Sequence, residues 1–179
     1  ALLAAASSTA ATFTFPLVVD PVIMTKHGVP LMAEEALSIL RNSLLPRAFL
    51  LTPNLDEAGA LAGISVHNLE TMEEAARRIA GMGARAVLVK GGHLAGEAVD
   101  VLHWRREVLH FRVPRIATQH AHGTGCTFSA AVTAELAKGR ELPDAVAIAK
   151  RFITLAIQSR PAIGKGYGPV NHHVRVESG

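Results

Sequence analysis

Three short apolar runs constrain the fold of this 179-residue chain more than any other feature: Leu17-Val18-Val19, Ala48-Phe49-Leu50-Leu51 and Ala86-Val87-Leu88-Val89. Each is too short for a helix and too continuous to alternate between core and solvent. Each therefore reads as a strand buried on both faces. Between them, apolar residues recur at helical spacing. Ala33, Ala36, Leu37, Leu40 and Leu44 precede the second run, and Pro46 closes that helix. Ala58, Leu61 and Ala62, then Ala75, Ala76 and Ile79, precede the third. Thr71-Met72-Glu73-Glu74 reads as the capping box that opens the second of these helices. Strands alternating with helices predict an α/β fold with a mostly parallel central sheet flanked by helices. Residues 99–104 and 108–113 then read as an antiparallel hairpin joined by the turn Arg105-Arg106-Glu107, with one wet face. Two helices follow. The first ends at Lys138-Gly139 and the second opens with Pro143 and Asp144. Val146, Ala149, Ile153 and Ala156 form one apolar line on the last helix, and Ile148, Phe152 and Leu155 form another. The two lines together predict a well-buried helix.

Composition narrows the function. Apolar residues make up 49% and charged residues 18%, which describes a globular chain able to bury a core. Aromatic residues are only 4%, which argues against a stacking surface for nucleic acid. The net charge of +3 is spread without a basic run, so neither nucleic acid nor a membrane is an expected partner. One cysteine cannot form an internal disulfide, and a reducing, cytoplasmic location is expected. The length favours a single domain over residues 1–179. Residues 1–12 are small and apolar without a basic leader. They read as the tail of a helix begun upstream, so the chain is expected to start in mid-protein.

Chemistry collects where strands end and helices begin. Asp20 closes the first run, and Pro21 biases it towards an extended conformation. In open parallel sheets the carboxyl ends of strands face the ligand, although Asp20 could equally be a turn residue. Asn54-Leu55-Asp56-Glu57 follows the second run. Asn54 and Glu57 have the spacing of a capping box, and also stand where they could orient a magnesium ion or its waters. Lys90-Gly91-Gly92-His93 follows the third run, where a lysine beside two glycines suits a phosphate or merely a tight turn. Lastly, His122-Gly123-Thr124-Gly125-Cys126-Thr127 leads into an apolar helix. Helix amino ends carry partial positive charge and amides without intrahelical acceptors, and glycines allow an anion close approach. Cys126 shares that turn, in a setting that favours a thiolate. The bland alternative is a glycine-rich turn before a buried cysteine. His172-His173 has no spaced partners and does not read as a metal site.

Taken in order, these blocks resemble the hydroxymethylpyrimidine and phosphomethylpyrimidine kinases of the ribokinase-like superfamily. The resemblance is carried by Val18-Val19-Asp20-Pro21-Val22, Lys26 with Gly28, and Thr52-Pro53-Asn54-Leu55-Asp56-Glu57-Ala58. Val87-Leu88-Val89-Lys90-Gly91-Gly92-His93, His122-Gly123-Thr124-Gly125-Cys126-Thr127 and residues 166–170 continue it. It implies an ATP- and magnesium-dependent kinase of thiamine biosynthesis. The substrate would be the small molecule 4-amino-5-hydroxymethyl-2-methylpyrimidine, and then its monophosphate. Cys126, Gly123, Thr124 and Gly125 would be catalytic. Asp20, Asn54, Glu57, Lys90 and Thr124 would manage nucleotide phosphates, with Asp20 and Glu57 on magnesium directly or through water. A cytoplasmic homodimer is expected.

Two departures touch the rim: Ile23 stands where the family often has Met, and His27 where it often has Ser. The resemblance also implies that the family's amino-terminal third, with its pyrimidine-contacting glutamine, is absent. The chain is then expected to be the carboxyl-terminal two-thirds of the kinase, and to be inactive and prone to associate when made alone. A pyridoxal-type or hydroxyethylthiazole kinase, or a non-catalytic nucleotide-binding module, are the competing expectations.

Overall fold

The computed structural model describes residues 2–24, 29–92, 94, 96–118, 122–161 and 168–176. Lys26, His27, Gly28, His93 and residues 164–167 of the sequence reading lie outside that set. Two compact units are found, residues 1–112 and 113–179.

The first unit contains α1 (Leu2–Ala10), β1 (Val18–Val19), α2 (Glu34–Ile39), β2 (Leu50–Leu51), α3 (Leu55–Ala62), α4 (Leu69–Gly81), β3 (Ala86–Gly91), β4 (Ala98–Trp104) and β5 (Glu107–Val113). The five strands form one mixed sheet in the order β1-β2-β3-β4-β5. β1 pairs parallel with β2, with Val18 opposite Leu50, and β2 pairs parallel with β3, with Leu50 opposite Ala86. β4 then pairs antiparallel with β3, setting Lys90 opposite Asp100 and Gly91 opposite Val99. The parallel half and the hairpin are those expected from the apolar runs. The α/β class is therefore borne out.

Period-two geometry sorts the side chains of β3. Val87 and Val89 join Leu51, Val101 and residues of α3 and α4 in the main core, including Leu61, Met72 and Ile79. Leu50, Leu88 and Leu102 lie on the opposite face of the strands and are also fully buried. A strand covered on both faces is what a continuous apolar run requires.

Local detail in this unit departs from the sequence reading at three places. The helix from Ala33 to Leu44 is regular only over α2, then continues as a π-helical turn (Leu40–Leu44) and a 3-10 turn (Leu45–Arg47). Pro46 has no N–H to return to the carbonyl four residues back, so the regular ladder cannot pass it. The capping box of α4 is centred on Asn68, one turn before the expected Thr71. Asn68 Oδ1 accepts from the Thr71 amide at 2.8 Å, and Thr71 Oγ1 accepts from the Asn68 amide at 3.1 Å. A threonine hydroxyl thus takes the place usually held by a glutamate. The hairpin turn is Arg105-Arg106 alone, and Glu107 belongs to β5. Both arginines have positive φ, 51° and 69°. That left-handed pair gives the turn a twist matching the strands, though side chains adopt it at a cost. The Arg105 guanidinium lies over the Trp104 ring at 4.8 Å.

The second unit packs α5 (Thr124–Ala137) against α6 (Leu142–Gln158). Val146, Ala149, Ile153 and Ala156 are buried as expected. The second apolar line of α6 is not: Ile148 and Phe152 are half-buried and Leu155 is 38% exposed. Among the described residues, no helix is long and apolar enough to cross a membrane.

Candidate active site

The first unit gathers four of the expected residues at the carboxyl ends of its parallel strands. Thr52, immediately after β2, donates its amide to Val19 O at 3.0 Å and its hydroxyl to Asp20 Oδ1 at 3.0 Å. This fixes the carboxylate that follows β1. Pro21 and Pro53 bring no amide to the ladder, so β1 and β2 stop there. The parallel pairing resumes as an isolated bridge between Asn54 and Lys90, with the Lys90 amide donating to Pro53 O at 2.8 Å. That register aims the long Lys90 side chain back across the sheet. Its Nζ donates to Asp20 Oδ1 at 2.7 Å, and the two side chains are only 12% and 19% exposed.

Asn54 and Glu57 form a complete capping box at the start of α3. Asn54 Oδ1 accepts from the Glu57 amide at 2.9 Å, and Glu57 Oε2 accepts from the Asn54 amide at 2.8 Å. Glu57 is 3% exposed. Burial pushes its carboxyl above the usual range, opposed by the Asn54 amide and by the charge of Lys90, and reinforced by the charge of Asp20. The Ile23 backbone also donates to it. The capping role is therefore real, and the same carboxylate feels both members of the Asp20–Lys90 pair. Helix capping and a place in the charged cluster are one arrangement.

Behind Lys90, Asp100 lies 3% exposed in β4 and accepts from the Gly91 amide at 3.0 Å. Gly91 must be glycine: a Cβ would stand 2.0 Å from Val99 O. Thr52 and Asp100 were not expected in the site. Asp100 left one signal, a lone carboxylate inside the apolar run from Val99 to Leu102.

Among the described residues, no three His, Cys, Asp or Glu side chains gather as a metal cage. Magnesium does not need one, because it keeps several waters and is commonly held by one or two carboxylates. Asp20 and Glu57 suit such a hydrated ion, and Lys90 beside them suits an anion that comes with it.

In the second unit, Gly123 precedes α5 with φ of 82°, a left-handed conformation that favours glycine. Thr124, Gly125 and Cys126 are the first three residues of the helix, and the Thr127 amide makes the first helical bond, to Gly123 O at 2.9 Å. Cys126 is exposed there, not buried. Gly123, the residue that precedes the helix, has no side chain with which to cap it. The arrangement the sequence reading described, glycines and a thiol on the first turn of a helix, is present. Beside it, His172 Nε2 shares a hydrogen bond with Thr127 Oγ1 at 3.1 Å, and His122 forms a parallel bridge with Pro169. Neither contact was foreseen.

Known proteins resemble the chain over most of its length. The phosphomethylpyrimidine kinase family profile matches residues 1–171. A thiamine biosynthesis bifunctional protein of Geobacter sulfurreducens is 48% identical over 162 residues, covering 90% of this chain and 33% of that protein. A hydroxymethylpyrimidine/phosphomethylpyrimidine kinase of Streptomyces coelicolor is 47% identical, covering 88% of this chain and 58% of that protein. The crystal structure of an ADP complex of Bacillus subtilis pyridoxal kinase superposes with a TM-score of 0.85 at 38% identity, over 96% of this chain and 64% of that one. The chain thus spans less than two thirds of each of these relatives. By the extent of the profile match and by these identities, it belongs to the phosphomethylpyrimidine kinase family.

Proposed function

We propose that the protein is an ATP- and magnesium-dependent kinase of thiamine diphosphate biosynthesis. It phosphorylates the hydroxymethyl group of 4-amino-5-hydroxymethyl-2-methylpyrimidine, and then phosphorylates the monophosphate. The observation that carries this reading is the cluster of Lys90, Asp20 and Glu57 at the ends of parallel strands. It offers a cation for phosphate oxygens beside two acids for a hydrated metal. The ADP bound to the pyridoxal kinase relative supports nucleotide use. Residues 1–179 are read as the carboxyl-terminal two-thirds of one ribokinase-like domain, in a cytoplasmic homodimer.

Phosphoryl transfer asks mainly for positioning and neutralised charge. The amides from Gly123 to Cys126, at a helix amino end, hold the oxygens of the transferring phosphate, with Thr124 on the nucleotide side. Lys90 and Asn54, in the first unit, suit phosphate oxygens. Magnesium, held by Asp20 and Glu57 directly or through water, supplies further neutralisation of phosphate charge when bound. Cys126 accepts or orients the proton of the substrate hydroxyl in the first step. In the second step the nucleophile is already a phosphate, and a base matters less.

The test is ADP formation by the native protein with the pyrimidine alcohol, its monophosphate and pyridoxal in turn. Both pyrimidines should be turned over faster than pyridoxal. Cys126→Ala should slow the first step by about 10²-fold or more and the second step less. A protein that turns over pyridoxal alone would favour the second reading, a pyridoxal kinase, which the 38% identity of the Bacillus subtilis structure supports. Equal first-step rates for mutant and wild type would remove Cys126 from catalysis.

A further inference from the structure

The carboxyl-terminal residues 168–173 cross the second unit as a strap. Val170 is 2% exposed, which anchors the middle of the strap. Asn171 donates its amide to Ala156 O at 2.9 Å and its side-chain Nδ2 to Ser159 O at 3.2 Å, tying the strap to the end of α6. Pro169 bridges to His122, just ahead of Gly123. His172 then meets Thr127 on the first turn of α5. The Thr127 hydroxyl lies 4.0 Å from the point a Cβ on Gly123 would occupy. The strap therefore holds the glycine turn on both sides, at His122 before it and at Thr127 after it.

We propose that His172 is a positioning residue: through Thr127 it fixes the first turn of α5 and so the placement of the Cys126 thiol and its neighbouring amides. The proposal rests on the kinase reading for its catalytic consequence, but not for its geometric one. Gly123 brings no side chain to its own helix start, and two glycines flanking Thr124 leave the turn little intrinsic stiffness. A turn that must present several donors to one phosphate loses rate quickly when it loosens. A hydrogen bond from outside the helix supplies the stiffness that the sequence of the turn lacks. It needs an aromatic nitrogen at the right distance, which Gln can imitate with its amide and Leu cannot.

The experiment uses the full-length native protein with His172→Leu, His172→Gln, Thr127→Val and the Thr127→Val/His172→Leu double variant. Two readouts are taken: the rate of Cys126 alkylation by iodoacetamide at neutral pH, and kcat and KM with the pyrimidine alcohol. His172→Leu and Thr127→Val should each slow alkylation and kcat by about fivefold, the worth of one ordinary hydrogen bond, with KM for the pyrimidine unchanged. His172→Gln should recover most of the loss. The double variant should be no worse than either single one, because both break the same bond. Alkylation and kcat equal to wild type in His172→Leu would overturn the proposal, as would losses that add in the double variant. If the wild-type protein shows no pyrimidine kinase activity, the kinase reading fails while the alkylation series still decides the role of His172.

Discussion

Replacing Lys90 by Met keeps the stem of the side chain and removes its charge. The ammonium lies 2.7 Å from Asp20 Oδ1, and both side chains are less than a fifth exposed. At that separation, with an effective dielectric of about 20, the gross attraction is about 6 kcal/mol. Most of it is offset by the solvation each group gave up on folding. Exposed pairs are worth about 0–1 kcal/mol, and breaking a fully buried pair costs about 3–5 kcal/mol. The Asp20–Lys90 pair lies between these limits, and Thr52 still donates to the same oxygen after the lysine is gone. A loss of about 2 kcal/mol is therefore expected for Lys90→Met. The assay is a double-mutant cycle with Asp20→Asn, followed by urea unfolding of all four proteins. If the contact is what stabilises, the double mutant should fall short of the summed losses by about 1–2 kcal/mol. Losses that add to within about 0.3 kcal/mol would refute the reasoning and leave the two groups as independent neighbours.

Glu57→Gln should flatten the pH dependence of stability. The folded carboxyl titrates above its ordinary value of 4.5, chiefly because of burial. The folded state then holds the proton more tightly than the unfolded one. The stability this contributes is complete below 4.5 and is lost as pH rises through the raised value. Chemical unfolding of wild type and mutant across that window should give a difference curve that climbs in favour of Gln as pH rises, and parallel curves would show that Glu57 does not titrate there. Gly91→Ala should destabilise by about 2 kcal/mol or more, because its Cβ would meet Val99 O at 2.0 Å. Thermal unfolding unchanged from wild type would mean that the β3–β4 end opens freely.

The sheet was legible because buried strands need unbroken apolar runs, and Ala86-Val87-Leu88-Val89 has no other stable reading. Asp20, Asn54 and Lys90 were legible as positions, each beside a proline, a glycine or a strand end, and Glu57 by its spacing from Asn54. Their mutual contact was not. The meeting of Lys90 with Asp20 depends on a register fixed by the Asn54–Lys90 bridge, 36 residues apart in sequence, and no local pattern encodes it. The cap of α4 went to Asn68 because Thr71 can close the box with a hydroxyl, which a search for a glutamate overlooks. The apolar runs overstate β1 and β2, which hold only two ladder residues each before Pro21 and Pro53 withdraw their amides. His172 was weighed only as a metal ligand. Its partner Thr127 lies 45 residues earlier, beyond any periodicity.

That separation has a consequence during synthesis. The turn around Gly123 emerges from the ribosome well before the strap that braces it. At about 5–20 residues per second, roughly two to nine seconds pass between Thr127 and His172. Through that interval Cys126 is borne on a helix start lacking its outside brace. The thiol reaches its final setting only after the chain has been made through residue 172, so a later segment completes a feature that emerges earlier.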